Sequence, residues 1–371
     1  MKKAIVHEWF EYPAGSEQCV ESFMKIYPDF DVYALVDFFS PEARAKYLGG
    51  KHSVTSFIQN LPLAEKHFRK YLPLFPYAIE QLDVTGYDVV FSNSHSVAKG
   101  VITKSNQLHI CYCHSPMRYA WDLYHQYLRA SGLDKGLLSI ITRYFLHHIR
   151  IWDFTTANRV DHYIANSNYT AARIQKIYNK PATVIYPPVD VDKFPCESKK
   201  DEYYITVSRL VYYKKIDLIV EAFSKMPDKK LLVIGEGPEL PKIKALAGKN
   251  IELLGYRSPL ELKGLLQKAK AFVFAAEEDF GIVIPEALSC GTPVIALRKG
   301  GAKETVQDGI NGVHFNEQTP EAVIDAVKRF EASQDTFDPE DVSATAQRFS
   351  RPRFEQEIYE FVESRINEFF D

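Results

Sequence analysis

Short apolar segments alternate with helical patterns along the whole chain, and this alternation constrains the fold more than any other feature. The candidate strands are residues 3–7, 31–35, 89–92, 109–113, 162–165 and 183–186, then 203–207, 230–235, 251–254, 271–274 and 293–296. Segments such as AFVF at 271–274 carry no polar residue, which is typical of parallel strands covered by helices on both faces. The sequence therefore predicts an α/β protein built on parallel sheets.

A chain of 371 residues is long enough for about two such domains. Tyr186-Pro187-Pro188 interrupts the pattern, because two consecutive prolines cannot continue a strand ladder. We therefore expect a first domain over residues 1–187 and a second over 188–350. Residues 351–371 carry apolar side chains on roughly one helical face, and we expect this C-terminal helix to pack back on the first domain.

Composition excludes several classes of protein. Hydrophobic residues make up 46% of the chain and charged residues 25%, which rules out intrinsic disorder. Five scattered cysteines indicate a reducing compartment, and the net charge of −3 argues against a general nucleic-acid binder. We expect no signal peptide after Met1-Lys2-Lys3, because His7 and Glu8 break the apolar run that follows, and no run of about 18 uncharged apolar residues occurs. We expect a cytoplasmic protein.

The strongest chemical signal is the stretch EEDFGIVIPEAL at residues 277–288, directly after a predicted strand. Gly281 permits close backbone approach and Pro285 suits the first turn of a helix, so the stretch predicts a helix N-terminus able to bind an anion. Glu278 and Glu286 could accept hydrogen bonds from sugar or ribose hydroxyls. Alternatively, Glu278 is a solvated loop charge and Glu286 is an acidic residue favoured at a helix start.

The same stretch, extended to EEDFGIVIPEALSCGTPVIA, resembles the signature of retaining glycosyltransferases of family four, which have the GT-B fold. Other segments fit that pattern: VSRLVYYKKID at 207–217, GEGP at 235–238, LGY at 254–256, RKGGAKETV at 298–306 and DGING at 308–312. The resemblance covers most of residues 160–320. It implies two Rossmann-like domains that face each other across a cleft, with the nucleotide-sugar donor bound by the second domain.

By this resemblance, Arg209 and Lys214 hold the diphosphate of the donor. Fixed cations in a dry cleft would stabilise the charge that develops on such a leaving group, although an ordinary surface position is the alternative for both side chains. The resemblance further places Glu286 on the ribose and Glu278 beside the transferred sugar. It implies donor contacts through Phe280, Gly281, Ile282 and Val283, and a base near Tyr256 and Arg257. Arg209 and Lys214 could together take the place of a metal ion at the diphosphate, so we expect no metal and no further cofactor.

In the first half, CYCHSPMRYAWD at 111–122 follows a predicted strand. A zinc site is rejected here, because structural zinc needs four ligands and no second cysteine pair exists. His114 resembles the cleft histidine of the family, which contacts the donor sugar. The form HSPMRYAWD resembles that of bacterial mannosyltransferases that build O-antigen and related polysaccharides, and it suggests GDP-mannose as donor.

Two further features of the first half concern ligands. The loop at 12–18 occupies the place of a glycine-rich loop of the family, but it has Ala14-Gly15 where two glycines are common, so only Gly15 is expected to admit a phosphate.

Residues 65–77 and 137–150 mix basic with apolar or aromatic residues. Either they lie in a lipid headgroup layer and approach a lipid-linked acceptor, or they pack on the core of their own domain.

The sequence thus predicts a retaining glycosyltransferase that moves a sugar, mannose from GDP-mannose by preference, onto a glycan or lipid-linked oligosaccharide during bacterial surface polysaccharide synthesis. Peripheral contact with the inner face of the membrane goes with that acceptor. Two alternatives stay open: a transferase of the same fold that uses a UDP-sugar, and a sugar-nucleotide-binding protein without catalytic activity.

Overall fold

The computed structural model describes all 371 residues, and the chain divides into two compact units. The first unit comprises Met1–Pro188 together with Phe354–Asp371, and the second comprises Val189–Arg353. The boundary lies at the double proline that interrupts the sequence pattern.

The first unit is built on a seven-stranded sheet with helices on both faces. Its strands are β1 (Lys3–His7), β2 (Asp31–Ala34), β3 (Val54–Thr55), β4 (Val89–Ser94), β5 (Leu108–Cys113), β6 (His162–Ala165) and β7 (Ala182–Val184). Its helices are α1 (Gly15–Ile26), α2 (Pro41–Leu48), α3 (Ala64–His67), α4 (Phe75–Glu80), α5 (Tyr124–Ala130), α6 (Gly136–Thr156) and α7 (Asn168–Tyr178). All strands are parallel, in the order β3-β2-β1-β4-β5-β6-β7.

Successive side chains of β1 enter different apolar cores, as strand geometry requires. Ile5 belongs to the cluster that contains Phe23 of α1, whereas Ala4 and Val6 belong to the cluster that contains Phe75 of α4. Because both faces of the sheet are buried, the strands can be apolar throughout, which is the pattern seen in the sequence.

The second unit repeats this architecture with six parallel strands in the order β10-β9-β8-β11-β12-β13. The strands are β8 (Tyr203–Val207), β9 (Lys230–Ile234), β10 (Ile251–Gly255), β11 (Ala271–Phe274), β12 (Val294–Leu297) and β13 (Gly312–Phe315). The helices are α8 (Ile216–Ser224), α9 (Leu240–Leu246), α10 (Pro259–Lys268), α11 (Val283–Ser289), α12 (Ala302–Thr305), α13 (Pro320–Ala332) and α14 (Pro339–Ala344). None of the helices in the chain has the length and apolar character needed to cross a membrane.

The last helix, α15 (Arg351–Phe370), returns to the first unit. Its buried residues are Phe354, Ile358, Val362 and Ile366, which recur at a spacing of four and therefore share one face. Phe354 packs against Phe23 with ring centroids 5.6 Å apart. The predicted fold class, two Rossmann-like α/β domains with a returning C-terminal helix, is confirmed.

Candidate functional site

The candidate site of the second unit lies where the strand order reverses between β8 and β11. In open parallel sheets, ligands bind at such a reversal, beyond the carboxyl ends of the strands. A cavity of about 500 Å³ opens there, lined by the segments that follow β8, β9, β10 and β11. Seven of the predicted site residues line it: Arg209, Lys214, Tyr256, Glu278, Gly281, Ile282 and Val283.

Lys214 and Glu278 form an ion pair in this cavity. Lys214 ends a short helical turn before α8, and Glu278 lies in the loop after β11, so the tertiary fold alone brings them together. Their side chains are only 19% and 14% exposed, so solvent screens the attraction less than at an open surface. The pair holds a cation and a carboxylate at fixed positions in one cavity.

Arg209 follows β8 directly and is exposed at the cavity wall. Its backbone position is set by the neighbouring β9 loop, because the amide of Leu210 donates to the carbonyl of Glu236 at 2.8 Å. The two loops approach so closely that a Cβ on Gly235 would lie 1.8 Å from the Ser208 carbonyl oxygen, and Gly235 has a φ of +131°. Glycine is therefore required at this position for the cavity to form.

The loop between β11 and α11 is held from outside the cavity. The amide of Gly301 donates to the carbonyl of Glu278 at 2.8 Å, and a Cβ on Gly300 would lie 2.2 Å from that carbonyl oxygen. Phe280 is buried, with its ring 5.5 Å from that of Phe349, so its side chain anchors the loop in the core. Only the backbone of Phe280 remains for the ligand contact that the sequence predicts.

Glu286 lies in the first turn of α11 and is not among the residues that line the cavity. Burial, followed by the negative charge of Asp190, raises the pKa of its carboxyl to about 8. Burial would by itself raise the pKa of Asp190 too, but hydrogen bonds from Arg351 and Lys193, each 2.5 Å long, lower it. Glu286 is thus a carboxyl that holds a proton near neutral pH beside a carboxylate that does not.

The other two predicted site residues, Gly15 and His114, lie in the first unit. Gly15 is the first residue of α1, and the amide of Ala14 donates to the Glu17 carboxylate at 2.9 Å. A Cβ on Gly15 would meet nothing within 4 Å. The fold itself therefore makes no demand for glycine at position 15, and the predicted phosphate contact remains a prediction.

His114 follows β5 and belongs to a cluster of polar side chains at the ends of β1, β4 and β5. Burial, then the neighbouring His95 and His7, lower the pKa of His114 to about 3, so its ring is neutral at physiological pH. Asn93 donates through its side-chain nitrogen to the Ser16 carbonyl at 3.1 Å, which turns its oxygen toward His114. That oxygen lies 2.7 Å from Nε2 of His114, so Nε2 carries the proton and Nδ1 is left as an acceptor.

The sequence prediction missed His7, Glu8, Glu17 and Asn93, which complete this cluster. Both oxygens of the fully buried Glu8 accept hydrogen bonds, from the backbone amides of residues 95–98 and from the Ser94 hydroxyl. Nε2 of His7 lies 3.2 Å from the Glu17 carboxylate. Burial opposes ionisation of Glu17, but His7 lowers the pKa of that carboxyl to about 2. The available signal was the abrupt appearance of His7-Glu8 at the end of an apolar strand.

No group of three or more His, Cys, Asp or Glu side chains is placed to hold a metal ion. Cys111 and Cys113 are both buried. A hydrogen bond with Cys111, together with burial, raises the pKa of Cys113. This cysteine pair consists of buried thiols in the core between β5, β6 and α7.

Two family models match the chain, one in each half. Residues 29–193 match the model described as Glycosyltransferase Family 4, and residues 190–348 match the model described as Glycosyl transferases group 1. An uncharacterised glycosyltransferase of Methanocaldococcus jannaschii is 32% identical over 200 residues, which is 52% of this chain and 54% of that protein. The chain spans about half the length of the curated relatives it matches.

A second relative is the GDP-mannose-dependent alpha-(1-6)-phosphatidylinositol monomannoside mannosyltransferase of Mycolicibacterium smegmatis. It is 30% identical over 192 residues, covering 43% of this chain and 50% of that protein. Among solved structures, Anabaena HepE in complex with UDP superposes with a TM-score of 0.71, covering 98% of this chain and all of the other at 20% identity. At that identity the likeness concerns the fold, which is of the GT-B class with two Rossmann-like domains.

Proposed function

We propose that this chain, which belongs to the family-four glycosyltransferases and has the GT-B fold, transfers a sugar from a nucleoside diphosphate donor to a glycan acceptor with retention of configuration. The observation that carries the proposal is the convergence of Arg209, Lys214 and Glu278 on one cavity at the strand-order reversal of the second unit. Two cations and a carboxylate that line one cavity match the two ends of such a donor, since the diphosphate is anionic and the sugar carries hydroxyls.

The transfer breaks the bond between the anomeric carbon and the diphosphate oxygen and forms a bond to an acceptor hydroxyl oxygen. Arg209 and Lys214 stabilise the negative charge that develops on the departing diphosphate. Glu278 and His114 orient the sugar through its hydroxyls, Glu286 bonds the ribose, and the base lies against Tyr256. The acceptor proton passes to an oxygen of the leaving diphosphate, so the proposal requires neither a protein nucleophile nor a metal ion.

Mannose from GDP-mannose is the donor we propose. It is supported by the HSPMRYAWD segment at 114–122 and by the mannosyltransferase of M. smegmatis, whose name gives the same donor. The specific observation that favours a second candidate, a UDP-sugar, is the fold likeness to Anabaena HepE, whose structure holds UDP. We propose a glycan or lipid-linked oligosaccharide of bacterial surface polysaccharide as the acceptor, and a cytoplasmic location in peripheral contact with the inner face of the membrane.

A donor panel tests the proposal. The full chain is incubated with GDP-mannose, UDP-glucose or UDP-N-acetylglucosamine and with synthetic oligosaccharide acceptors, and the anomeric configuration of the product is read by nuclear magnetic resonance. We expect a retained mannosyl product. Nucleotide binding without turnover of any donor would favour the non-catalytic alternative. Turnover of a UDP-sugar alone would make that sugar, instead of GDP-mannose, the donor of the enzyme.

Two variants test the roles of the residues. Removing the Lys214 cation in Lys214→Ala should lower kcat by about a hundredfold or more, because a fixed charge on a leaving group contributes a few kcal/mol. Lys249→Ala, a change of an exposed lysine outside the cavity, is the matched control and should keep the full rate. A folded Lys214→Ala protein with an unchanged kcat would remove Lys214 from the mechanism.

A further inference from the structure

The outward face of α6 is apolar along most of its length. Its large side chains are exposed by between 41% and 74% of their surface: Leu137, Leu138, Ile140, Ile141, Tyr144, Phe145, Ile151 and Phe154. At 3.6 residues per turn most of these positions fall on the same half of the helix, with His147 and His148 between them. A continuous exposed apolar stripe of this kind marks an interaction surface, unlike single exposed apolar residues.

The fold of the first unit does not use this stripe. The opposite face of α6 supplies Leu146 and Ile149 to the core. The two arginines of the helix are held at its edges, where Arg143 donates to the Ser139 hydroxyl at 3.1 Å and Arg150 donates to the Ala120 carbonyl at 3.1 Å. For residues 137–150 the sequence left two alternatives, contact with lipid headgroups or packing on the core of the domain. In the structure α6 has one face in the core and an opposite apolar face that is exposed.

Basic residues outnumber acidic ones beside the stripe. The exposed face of α6 carries no carboxylate, since the only acidic residue of the helix, Asp153, is buried in an ion pair with Lys99. Arg129 of α5 and Lys135, just before α6, are exposed, whereas Asp134, the acidic residue between these two helices, is partly buried. The surface next to the N-terminal half of α6 is therefore apolar with a basic border.

A second segment, residues 63–80, also combines basic with exposed apolar side chains and packs on the same core as α6. Phe68 and Phe75 share the apolar cluster with Leu146 of α6, and Glu80 at the end of α4 accepts a hydrogen bond from Trp152 of α6 at 2.8 Å. This segment exposes three apolar side chains, Leu63, Leu74 and Tyr77, together with Lys66, His67 and Lys70. One exposed carboxylate, that of Glu65, lies among them.

We propose that the outward face of α6 docks on a lipid bilayer that contains anionic headgroups, with the helix lying in the plane of the interface. Apolar side chains enter the boundary between headgroups and acyl chains, and the basic border faces the anionic headgroups. The inference deepens the membrane contact that accompanies the proposed transfer, because it names the surface and the lipid chemistry. The proposed docking surface would hold the first unit against the layer in which a lipid-linked acceptor is presented.

Charge decides between a bilayer and a second copy of the chain. In a twofold symmetric dimer the stripe would face a second copy of itself, and that copy presents no exposed carboxylate on α6 to pair with Arg129 and Lys135. Charges left unpaired at such an interface oppose association, whereas an anionic surface complements them. The occupant that fits the whole patch is the anionic bilayer.

Cosedimentation with vesicles tests the inference and uses no sugar donor. The full chain is mixed with vesicles of phosphatidylcholine alone, or with vesicles in which roughly one third of the lipid is phosphatidylglycerol. We expect binding to the anionic vesicles and little binding to the neutral ones. In Ile141→Ser/Phe145→Ser, binding should weaken by about tenfold or more, because each buried methylene contributes a factor of about four to partitioning.

The matched control is Leu260→Ser, which removes a side chain that is 78% exposed on α10 of the second unit and should leave vesicle binding unchanged. Equal binding of the double variant and the unchanged chain, or no binding to anionic vesicles, would overturn the inference. A dimer by light scattering that the double variant converts to a monomer would assign the stripe to a second copy instead. Transfer to a water-soluble acceptor is measured separately, so loss of docking and loss of transferase activity are distinguishable.

Discussion

Glu286→Gln isolates the effect of a buried carboxyl on the stability of the second unit. Burial and the neighbouring Asp190 raise the pKa of Glu286 from 4.5 to about 8. An acid whose pKa is higher in the folded state binds its proton more tightly there. Its contribution to stability is fully present below pH 4.5 and is lost as the pH rises through 8.

The magnitude follows from the two pKa values. Between them, each pH unit removes about 1.4 kcal/mol of unfolding free energy, and the slope flattens above the folded value. Between pH 6 and pH 9 the loss is therefore about 3 kcal/mol, an upper value because part of Glu286 remains exposed. The glutamine variant has no proton to lose, so relative to the unchanged chain it should gain about 3 kcal/mol over the same range.

Urea unfolding at pH 6, 7, 8 and 9, followed by far-ultraviolet circular dichroism, measures this difference. Tryptophan fluorescence is unsuitable, because Trp9, Trp121 and Trp152 all lie in the first unit. Hydrogen exchange of peptides from α11 assigns the transition to the second unit. Glu277→Gln, at an exposed glutamate in the loop before α11, is the control and should show the same pH dependence as the unchanged chain.

Parallel stability curves for the unchanged chain and Glu286→Gln would refute the reasoning. Parallel here means agreement within about 0.5 kcal/mol across the pH range, which is close to the error of such extrapolations. That result would show that Glu286 is already ionised in the folded protein near neutral pH, so that burial has not shifted its pKa.

Three further predictions concern single side chains. Gly235→Ala should destabilise the second unit by about 3 kcal/mol in urea unfolding, because the new Cβ would collide with the Ser208 carbonyl oxygen at a positive φ. Gly15→Ala is the control and should lower the unfolding free energy by less than about 0.5 kcal/mol, because its Cβ would meet nothing within 4 Å. Glu8→Gln should lower the unfolding free energy of the first unit by about 3 kcal/mol, since one carboxylate oxygen that accepts buried amides becomes a donor. Asn93→Leu should leave the Nε2 proton of His114 without its acceptor. Two-dimensional proton–nitrogen magnetic resonance spectra of the His114 ring should then show a mixture of the two tautomers, whereas a single unchanged tautomer would contradict the assigned hydrogen bond.

The strands were predictable because their signal is local. β1, β6, β8 and β11 occupy the predicted residues, and in each a largely apolar run indicates burial on both faces. β13 was not predicted, since it begins at Gly312 and contains a histidine, which a strand pattern does not favour. A Cβ on Gly312 would lie 2.0 Å from the carbonyl oxygen of Val294, so close packing on β12 selects glycine there, and this reason exists only in the folded chain.

The candidate site likewise contains residues that the sequence could identify and residues that only the folded chain identifies. Arg209 and Glu278 could be selected from the sequence, because each follows a predicted strand and belongs to a motif that resembles the family signature. The roles assigned to them stay predictions. Asn93 could not be selected, and for Glu8 the sequence offered only its position after an apolar strand, because these residues act through partners 21 and 86 residues away along the chain.

The sequence by itself determined the class of fold, the two-domain division and the residue types available at the strand ends, because hydrophobic periodicity and turn residues act over a few neighbouring positions. Only the tertiary structure decided that Lys214 meets Glu278, that Glu286 holds a proton, and that the apolar stripe of α6 faces outward. Ion pairing, desolvation and exposure depend on which distant segments the fold brings together, and no local pattern in the chain records them.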